Sequence, residues 1–370
     1  MGLNGPVSDR AYARAGVDTD RAESAVAGLV QVLRTIDTGR PSRAVLGSGH
    51  YANVLRLDDR TGIALSTDGV GSKVIVAEQL GRFDTVGIDC IAMNVNDVIC
   101  VGAEPFAVLD YIAVEEAEPE MLRQIAVGLK AGAELAGVEI PGGELAQLPE
   151  LIRGHPSPRG FDLVGACFGT VALDAIVTGA AIEPGDVVIG LPSSGVHSNG
   201  LTLARRALPA LDERPDRLGG ETVGGALLRP TTIYVRAIME LLRSSVEVRG
   251  LAHITSGGML NLLRLEAEVG YRIDGWVPVP AIFGELTARA GVEAAELYEV
   301  FNMGCGFCCV VPAEHAQEAV SLLGRHHEGA VAIGRATEDA GVVEMVGFGN
   351  LTGGAPGDLV GRAGEGFRAT

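Results

Sequence analysis

The sequence is poor in aromatic residues and in positive charge. Phe, Trp and Tyr make up 4% of the 370 residues, and 29 Lys and Arg stand against 47 Asp and Glu, for a formal net charge of −18. So few aromatics and basic residues argue against a nucleic-acid partner, which would need stacking platforms or a basic surface. A small anionic substrate remains open, because backbone amides, lysines and Mg²⁺ can reverse the local charge inside a cleft.

Long apolar runs are also missing. No stretch reaches the ~18 apolar residues that would indicate a membrane span, and the N-terminal MGLNGPVSDR has no apolar signal core. The six cysteines lie mostly in apolar segments, so we expect reduced core thiols, even for the Cys305/Cys308 pair. We therefore expect a cytoplasmic protein with no membrane partner.

Glycine is abundant, at 52 residues, and apolar residues make up 47% of the chain. So much glycine is typical of tight turns and of loops whose backbone approaches a phosphate closely. The length favours two domains, and mixed strands and helices in both halves predict two α/β or α+β domains. We place the first domain at residues 1–172, the second at 173–346, and a glycine-rich, mobile tail at 347–370.

Hydrophobic periodicity predicts the main elements of the first half. A nearly all-round apolar helix is expected at residues 86–101. It contains Asn94, Asn96 and Asp97, whose polar groups need partners inside so apolar a segment. The other expected elements are helices at 20–36 and 119–136 and strands at 62–66, 105–113 and 161–172.

A glycine loop with the sequence STDGVGSK occupies residues 66–73. Gly69 and Gly71 would let the main chain approach a phosphate, Asp68 could ligate Mg²⁺, and Lys73 could neutralise phosphate oxygens. The spacing is not that of a Walker A motif. Taken alone, the loop is equally well interpreted as an ordinary tight turn with a solvated Asp and Lys.

Two further carboxylates strengthen the functional interpretation. Asp97 lies inside the apolar helix, where a carboxylate is costly unless it is paired or metal-bound. Glu144 follows two glycines in the turn PGGE, although surface turns also often carry a glutamate. Together, Asp68, Asp97 and Glu144 would provide the oxygen-rich site that Mg²⁺ prefers.

Two histidines lie in loops of glycine and hydroxyl residues. His197 lies within PSSGVHSNG, and His253 begins HITSGG. A lone histidine is usually structural, but two in such loops are candidates for acid–base chemistry or phosphate contacts. Asn199 and Thr255, beside them, are candidate nucleotide contacts. No role is expected for His315, His326 and His327, which lie in ordinary helix or turn sequence.

Eight motifs occur in the order and spacing of one family: STDGVGSK, IDCIAMNVND, GAEPFAVLDY, PGGELAQLP, FDLVGACFG, PSSGVHSNGL, HITSGG and FNMGCG. Over roughly residues 10–345 the chain closely resembles the phosphoribosylformylglycinamidine cyclo-ligase, or aminoimidazole ribonucleotide synthetase, family of purine biosynthesis. The combination of SSGVHSNG, HITSGG and FNMGCG is the specific one, whereas the other loops are shared across the superfamily.

The resemblance implies an N-terminal ATP-binding domain that pairs with its copy in a homodimeric sheet or barrel, and a C-terminal α/β domain across the cleft. It implies that ATP, with Mg²⁺, phosphorylates the formyl-amide oxygen of formylglycinamidine ribonucleotide. The neighbouring amidine nitrogen then closes the imidazole ring. Such an enzyme works mainly by positioning and by stabilising phosphoryl transfer.

The resemblance also implies roles for single residues. Asp68 and Asp97 would bind the nucleotide's metal, Glu144 would support the metal or the substrate amide, and Lys73 would contact phosphate. The segment Gly47–His50, with Gly49 and His50, would cover the nucleotide. The residues implied in binding or proton transfer at the reacting centre are His197, His253 and Asp97.

Three residues depart from the family pattern. Leu145 replaces the threonine after the glutamate of GGE, Ser256 replaces a glycine of HITGGG, and Thr232 stands where an arginine is common. A lost hydroxyl and a lost cation would retune substrate binding and leave the nucleotide site intact.

Two other functions remain open. One is a related ATP-dependent enzyme of the same superfamily, although selenophosphate synthetase would carry a reactive cysteine near the N-terminal glycine loop, and none precedes Cys90. The other is a non-catalytic nucleotide-sensing paralogue, for which Leu145 and Thr232 are the hints. Against it stand the retained candidates Asp68, Lys73, Asp97, Glu144, His197 and His253.

Overall fold

The computed structural model describes residues 19–348 and 357–369. The helices are α1 (Thr19–Leu33), α2 (Lys73–Leu80), α3 (Val86–Cys100), α4 (Pro119–Ala136), α5 (Leu201–Ala207), α6 (Val223–Leu227), α7 (Val235–Leu242), α8 (Ile282–Arg289), α9 (Ala294–Val300) and α10 (Ala316–His326). Short 3₁₀ helices lie at Asp216–Leu218, Gly258–Arg264 and Ala313–His315.

The strands are β1 (Asn53–Arg56), β2 (Thr61–Gly69), β3 (Glu104–Val114), β4 (Gly143–Gln147), β5 (Phe161–Ala172), β6 (Val187–Pro192), β7 (Gly250–His253), β8 (Gly270–Ile273), β9 (Cys305–Val311), β10 (Val331–Thr337), β11 (Val342–Met345), β12 (Leu359–Arg362) and β13 (Gly366–Ala369). They form two sheets. The first has the order β1-β2-β5-β3-β4 and the second the order β13-β12-β11-β8-β10-β6-β9-β7. The fold is thus mixed α and β, with one sheet in each half of the chain.

Helix α3 is the central element. It packs on α4 and on the inner face of the first sheet, and it also reaches β7 and α7 of the second half. All its residues except Ile88 and Asp97 are buried. Its contact with α4 is close because both helices carry glycine there, and a Cβ added at Gly87 would lie 2.1 Å from the backbone nitrogen of Leu129.

The predicted helices at 20–36, 86–101 and 119–136 are confirmed as α1, α3 and α4. Gly137 ends α4 in the left-handed conformation, with φ 72°. The predicted strands are confirmed as β2, β3 and β5, although β2 runs on through Asp68 to Gly69. The glycine turn that follows is therefore shorter than the sequence indicates.

The mobile tail predicted at 347–370 is wrong for most of its described part. Strand β12 pairs antiparallel with β11, and β13 pairs with β12, so both extend the second sheet. Leu359 is 0% exposed and Phe367 is 5% exposed, which explains why this segment is ordered. Residues 349–356 and 370 of the predicted tail, like residues 1–18 of the predicted first domain, lie outside the described residues.

Side chains on the outer face of the first sheet are exposed to solvent in the part of the chain that the structure describes. Cross-strand partners place Leu55, Leu109 and Tyr111 on the side away from α3. Each of the three is 38–40% exposed, although all are apolar or aromatic. A sheet with one bare apolar face is typical of an interface.

The six cysteines are free and buried, which confirms the prediction of core thiols. Cys305 Sγ lies 3.6 Å from Cys308 Sγ, and burial raises the pKa of Cys309 and of Cys90. Thiols in this state are poor nucleophiles. Within the described ranges, none of the helices has the length and apolar content needed to cross a bilayer.

Candidate active site

Asparagines of α3 bind backbone groups from both halves of the chain. Asn94 Nδ2 donates to the carbonyl oxygen of Asp68 (3.0 Å), and Asn94 Oδ1 accepts from the Asp68 amide (2.9 Å). Asn96 Oδ1 accepts from the Tyr234 amide (3.0 Å), and its Nδ2 donates to the Thr232 carbonyl (2.9 Å). The predicted need of these polar groups for partners is confirmed.

Asp97 pairs with His253 between the two halves. The distance from Asp97 Oδ1 to His253 Nδ1 is 2.9 Å, and His253 is fully buried while the Asp97 side chain is 18% exposed. Because the Asp97 carboxylate accepts a hydrogen bond from Nδ1–H, Nε2 is left free, and it has no hydrogen-bond partner among the described residues. A ring held in this way offers Nε2 to accept a proton.

The His197 ring is held through Nε2, whereas the His253 ring is held through Nδ1. Its Nε2 accepts from the amides of Ser194 (3.3 Å) and Thr232 (3.4 Å). Burial, and then the charges of His253 and Lys73, hold the pKa of His197 well below its ordinary value. The ring is therefore neutral, with its proton on Nδ1, which is buried and finds no acceptor in the described ranges. It can donate a hydrogen bond to a bound oxygen.

Asp68 lies at the end of β2, near Asp97. Its Oδ1 accepts from the Gly69 amide (2.7 Å). Burial, and then the charge of Asp97, raise the pKa of Asp68 above its ordinary value. Two carboxylates that repel each other in this way would be stabilised by a divalent cation bound between them.

Glu144 does not join these carboxylates within this chain. It lies exposed on the edge strand β4, in one register row with Tyr111, Val164 and Gly69. Three strand spacings of about 4.8 Å separate it from Gly69, or about 14 Å along the sheet. In the part of the chain that the structure describes, no three His, Cys, Asp or Glu side chains come together as a metal site. The three-carboxylate arrangement expected from the sequence is therefore not assembled here.

Lys73 points into the protein. Its Nζ donates to Asp89 Oδ1 (2.8 Å) and to the Arg229 carbonyl (2.5 Å), and both side chains of the ion pair are 0% exposed. Burial lowers the pKa of Lys73, and the charge of Asp89 opposes this. Since the ammonium faces Asp89, the contact of Lys73 with phosphate stays a prediction.

Asp89 is the candidate that the sequence interpretation missed. Its Oδ1 also accepts from the Thr231 amide (2.7 Å), the Thr231 hydroxyl (2.6 Å) and the Ser198 hydroxyl (3.2 Å). Its position in an otherwise apolar helix was the available signal, the same one that drew attention to Asp97.

The segment Gly47–His50 lies against the second half of the chain. The Gly49 carbonyl accepts from Nε (3.2 Å) and Nη2 (3.1 Å) of Arg264, whose guanidinium carbon lies 3.8 Å from the centre of the Tyr51 ring. His50 Nε2 lies 3.0 Å from Glu266 Oε1. These contacts fix the segment against the second half, and its role as a cover over the nucleotide stays a prediction.

Asn261 organises the HITSGG loop. Its Oδ1 accepts from the amide (3.2 Å) and hydroxyl (3.1 Å) of Thr255, and its Nδ2 donates to the Ser256 carbonyl (2.9 Å). Its own carbonyl accepts from the Tyr51 hydroxyl (3.0 Å). Ser256 Oγ in turn lies 3.4 Å from Asn199 Oδ1, which links the two predicted nucleotide contacts Thr255 and Asn199 through one turn.

Both halves match models of one family. The model of the AIR synthase related protein N-terminal domain matches residues 49–171, and that of the C-terminal domain matches residues 183–347. With one sheet in each half and a family model matching each half, the chain is an AIR synthase-related protein.

Its curated relatives define the family more narrowly. The chain is 49% identical to the phosphoribosylformylglycinamidine cyclo-ligase of Methanothermobacter thermautotrophicus over 340 residues, which covers 90% of this chain and 96% of that protein. It is 46% identical to the protein of that name from Thermococcus gammatolerans, with the same coverage of both chains. The chain belongs to the phosphoribosylformylglycinamidine cyclo-ligase family.

Solved structures share the fold. The hydrogenase maturation protein HypE in complex with ATP aligns with a TM-score of 0.59 and 21% identity, over 85% of this chain and 86% of that one. T. maritima PurL complexed with ADP aligns with a TM-score of 0.55 and 17% identity, over 82% of this chain and 44% of that one. At such identities the likeness shows the fold alone.

Proposed function

We propose that this chain is an ATP-dependent cyclo-ligase that converts formylglycinamidine ribonucleotide to aminoimidazole ribonucleotide. The observation that carries the proposal is a pair of histidine rings that are held through different nitrogens. His253 has a free acceptor at Nε2 and His197 a free donor at Nδ1. Relatives that bear the cyclo-ligase name match 90% of the chain and support the choice of reaction.

The first step is phosphoryl transfer from ATP. The formyl-amide oxygen bonds to the γ-phosphorus while the bond from that phosphorus to the ADP oxygen breaks. Such a transfer needs positioned donors more than covalent chemistry. The neutral His197 would donate its Nδ1 hydrogen to an oxygen of the reacting group without bringing a second charge.

The second step is ring closure. The amidine nitrogen attacks the former formyl carbon, and phosphate leaves with the electrons of the carbon–oxygen bond. The nitrogen must then lose a proton, which His253 would accept at Nε2. Asp97 would stabilise the imidazolium that results, because it already binds the Nδ1 hydrogen.

Mg²⁺ fits the carboxylates near the end of β2. Asp68 and Asp97 would bind it, which agrees with their mutual repulsion in its absence. Mg²⁺ commonly uses one or two carboxylates, waters and phosphate oxygens, so the distant Glu144 is not required. When bound, the ion would neutralise charge on the ATP phosphates.

The proposed nucleotide contacts come from four loop segments. Gly69 and Gly71 lie close to Asp68 in sequence, and Gly49 and His50 belong to the segment that would cover the nucleotide. ATP bound to HypE and ADP bound to PurL, proteins of the same fold, support a nucleotide here. Because the free nitrogens of His197 and His253 are covered by protein, the substrate would reach them when these loops open. Asn199 and Thr255 complete the proposed set.

We further propose a homodimer formed through the outer face of the first sheet. Its bare apolar side chains would be covered by the same face of a second copy, as a two-fold axis requires. The buried free thiols suit a reducing compartment, and we propose a cytoplasmic location.

The proposal is tested by incubating the protein with formylglycinamidine ribonucleotide and Mg-ATP and measuring ADP and aminoimidazole ribonucleotide. We expect equal amounts of the two products, loss of both with a chelator, and recovery on adding Mg²⁺. ADP without ring product would contradict the cyclo-ligase assignment and leave the nucleotide site intact. Binding of ATP with no turnover would indicate a sensing paralogue.

A further inference from the structure

Asp89 joins the two halves of the chain from inside. It lies on α3, yet its Oδ1 accepts hydrogen bonds from Thr231 and Ser198, which belong to loops of the second half. Lys73, at the start of α2, neutralises it and also donates to the Arg229 carbonyl. One oxygen atom thus fixes two loops that the sequence places far apart.

The two loops that Asp89 fixes are those that hold the His197 ring. Ser198 is the next residue after His197, and Thr231 precedes Thr232, whose amide donates to His197 Nε2. If Thr231 moved, the Thr232 amide would move with it. The ring would then lose one of the two donors that keep Nε2 an acceptor and Nδ1 protonated.

We propose that Asp89 is a positioning residue that, through Thr231 and Ser198, holds His197 in the tautomer and orientation that present its Nδ1 hydrogen to the substrate. The role of His197 towards the substrate rests on the proposed function. The hydrogen bonds that link Asp89 to the His197 ring through Thr231 and Ser198 do not depend on that function.

The test must separate hydrogen bonding from charge. Removing either Asp89 or Lys73 alone leaves the other charge buried without its partner, which destabilises the fold whatever its role. Two double variants avoid this, Lys73→Met with Asp89→Asn and Lys73→Met with Asp89→Leu. Both are uncharged at these sites, and only the first keeps an acceptor oxygen. Since both lack the Lys73 ammonium, any contact that it makes with phosphate cancels in the comparison.

The Asn side chain suits this purpose. Its Oδ1 can take the place of the Asp89 Oδ1, and its NH₂ group can take the place of Oδ2, which has no partner among the described residues. We expect kcat of the Asn double variant to exceed that of the Leu double variant at least tenfold, with a much smaller difference in KM for ATP. Melting temperatures measure the structural cost of each variant separately.

Nitrogen NMR of protein labelled with ¹⁵N-histidine provides a readout that does not need turnover. We expect the His197 signals of the wild type and the Asn double variant to show a protonated Nδ1 and an unprotonated Nε2. The Leu double variant should show a changed tautomer ratio. This holds even if formylglycinamidine ribonucleotide is not the substrate, so failure of the proposed function would be distinguishable.

Two results would overturn the proposal. One is equal kcat of the two folded double variants, and the other is an unchanged His197 tautomer in the Leu variant. If the Leu double variant does not fold, Thr231→Val replaces it in the test. This substitution keeps the shape of the side chain and removes one hydrogen-bond donor to Asp89. A His197 spectrum and kcat identical to wild type in Thr231→Val would then contradict the proposal.

Discussion

His197 adopts a backbone conformation, φ 59°, that residues other than glycine rarely adopt. Such strain is retained where the surroundings hold it, and it is common at active sites. Here two amides bind one nitrogen of the ring and leave the other free. His253 is held through the opposite nitrogen, by a carboxylate. The site therefore holds one ring with a free Nδ1 and one ring with a free Nε2.

Asp97→Asn tests the pair at the residue scale. The amide would bind the His253 ring less favourably in its proposed form and would weaken metal binding, so we expect kcat to fall about 10²-fold or more. Melting temperature should change little, because the shape is conserved. Steady-state kinetics with product analysis measures the effect. The exposed Asp59→Asn is the matched control, and near-normal turnover in Asp97→Asn would remove Asp97 from the catalytic set.

The sequence identified single residues as candidates for the site but did not show which of them contact each other. Asp97 and His253 each stood out, one as a carboxylate in an apolar helix and one in a glycine loop. Their pairing spans 156 residues and depends on how the two halves pack, which local pattern does not reveal. Lys73 resembled a phosphate ligand because the motif is glycine-rich, and its internal ion pair with Asp89 became visible only in three dimensions.

Loops form much of this site, and several of them are fixed by a buried amide or carboxylate. Asn261 is such an anchor for HITSGG, at 5% exposure. Its side chain satisfies three groups of Thr255 and Ser256, and its carbonyl binds the Tyr51 hydroxyl. The loop that follows His253 therefore depends on one residue outside the motif.

Asn261→Ala should release this loop. Three lost hydrogen bonds, one of them from the partly buried Thr255 amide, predict a loss of about 2 kcal/mol in the free energy of unfolding. We expect kcat/KM for ATP to fall at least tenfold, measured beside a urea unfolding curve. Asn261→Asp keeps the acceptor oxygen and should lie between wild type and Ala. An Asp variant as impaired as the Ala variant would contradict the role of that oxygen.

Helices and strands with strong hydrophobic periodicity were predictable from the sequence. The sequence did not show whether their apolar faces are covered by other elements. The period of α1 predicts an apolar face, yet Val26, Leu29 and Leu33 on it are 50–59% exposed in the chain. The edge strands β1 and β4 escaped prediction because four or five residues give too short a pattern. The composition of the glycine-rich C-terminal segment predicts mobility, but its few apolar residues lie in two short strands that extend a sheet.

The whole molecule should be a dimer if the outer face of the first sheet is its interface. Replacing Leu109 and Tyr111 together with Glu places two charges on that face, so we expect a monomer by light scattering. Val127→Glu, at an equally exposed apolar position of α4, is the control and should stay dimeric. A dimeric double variant would locate the interface elsewhere.

Stability should fall in acid partly through His327. Burial, and then the charge of His326, lower the pKa of His327 to about 4. The unfolded chain binds this proton near pH 6.5, so the stabilising contribution is complete above that pH and is lost as the pH falls towards 4. In this window His327→Phe should reduce the pH slope of the unfolding free energy by up to ~1.4 kcal/mol per pH unit. Urea unfolding at several pH values, with His155→Gln as control, measures the slope, and an unchanged slope would contradict the prediction.

Helix α3 binds loops of both halves through Asp89, Asn94, Asn96 and Asp97. Because these residues stand at fixed angles on one rigid helix, a single-residue insertion would turn the later ones by about 100° relative to the earlier ones. Substitutions in the helix are thus tied to changes in segments 140 or more residues away. We therefore expect the two halves to have evolved together. A chimera of two relatives should be active only when α3 and the segments that it binds come from the same parent.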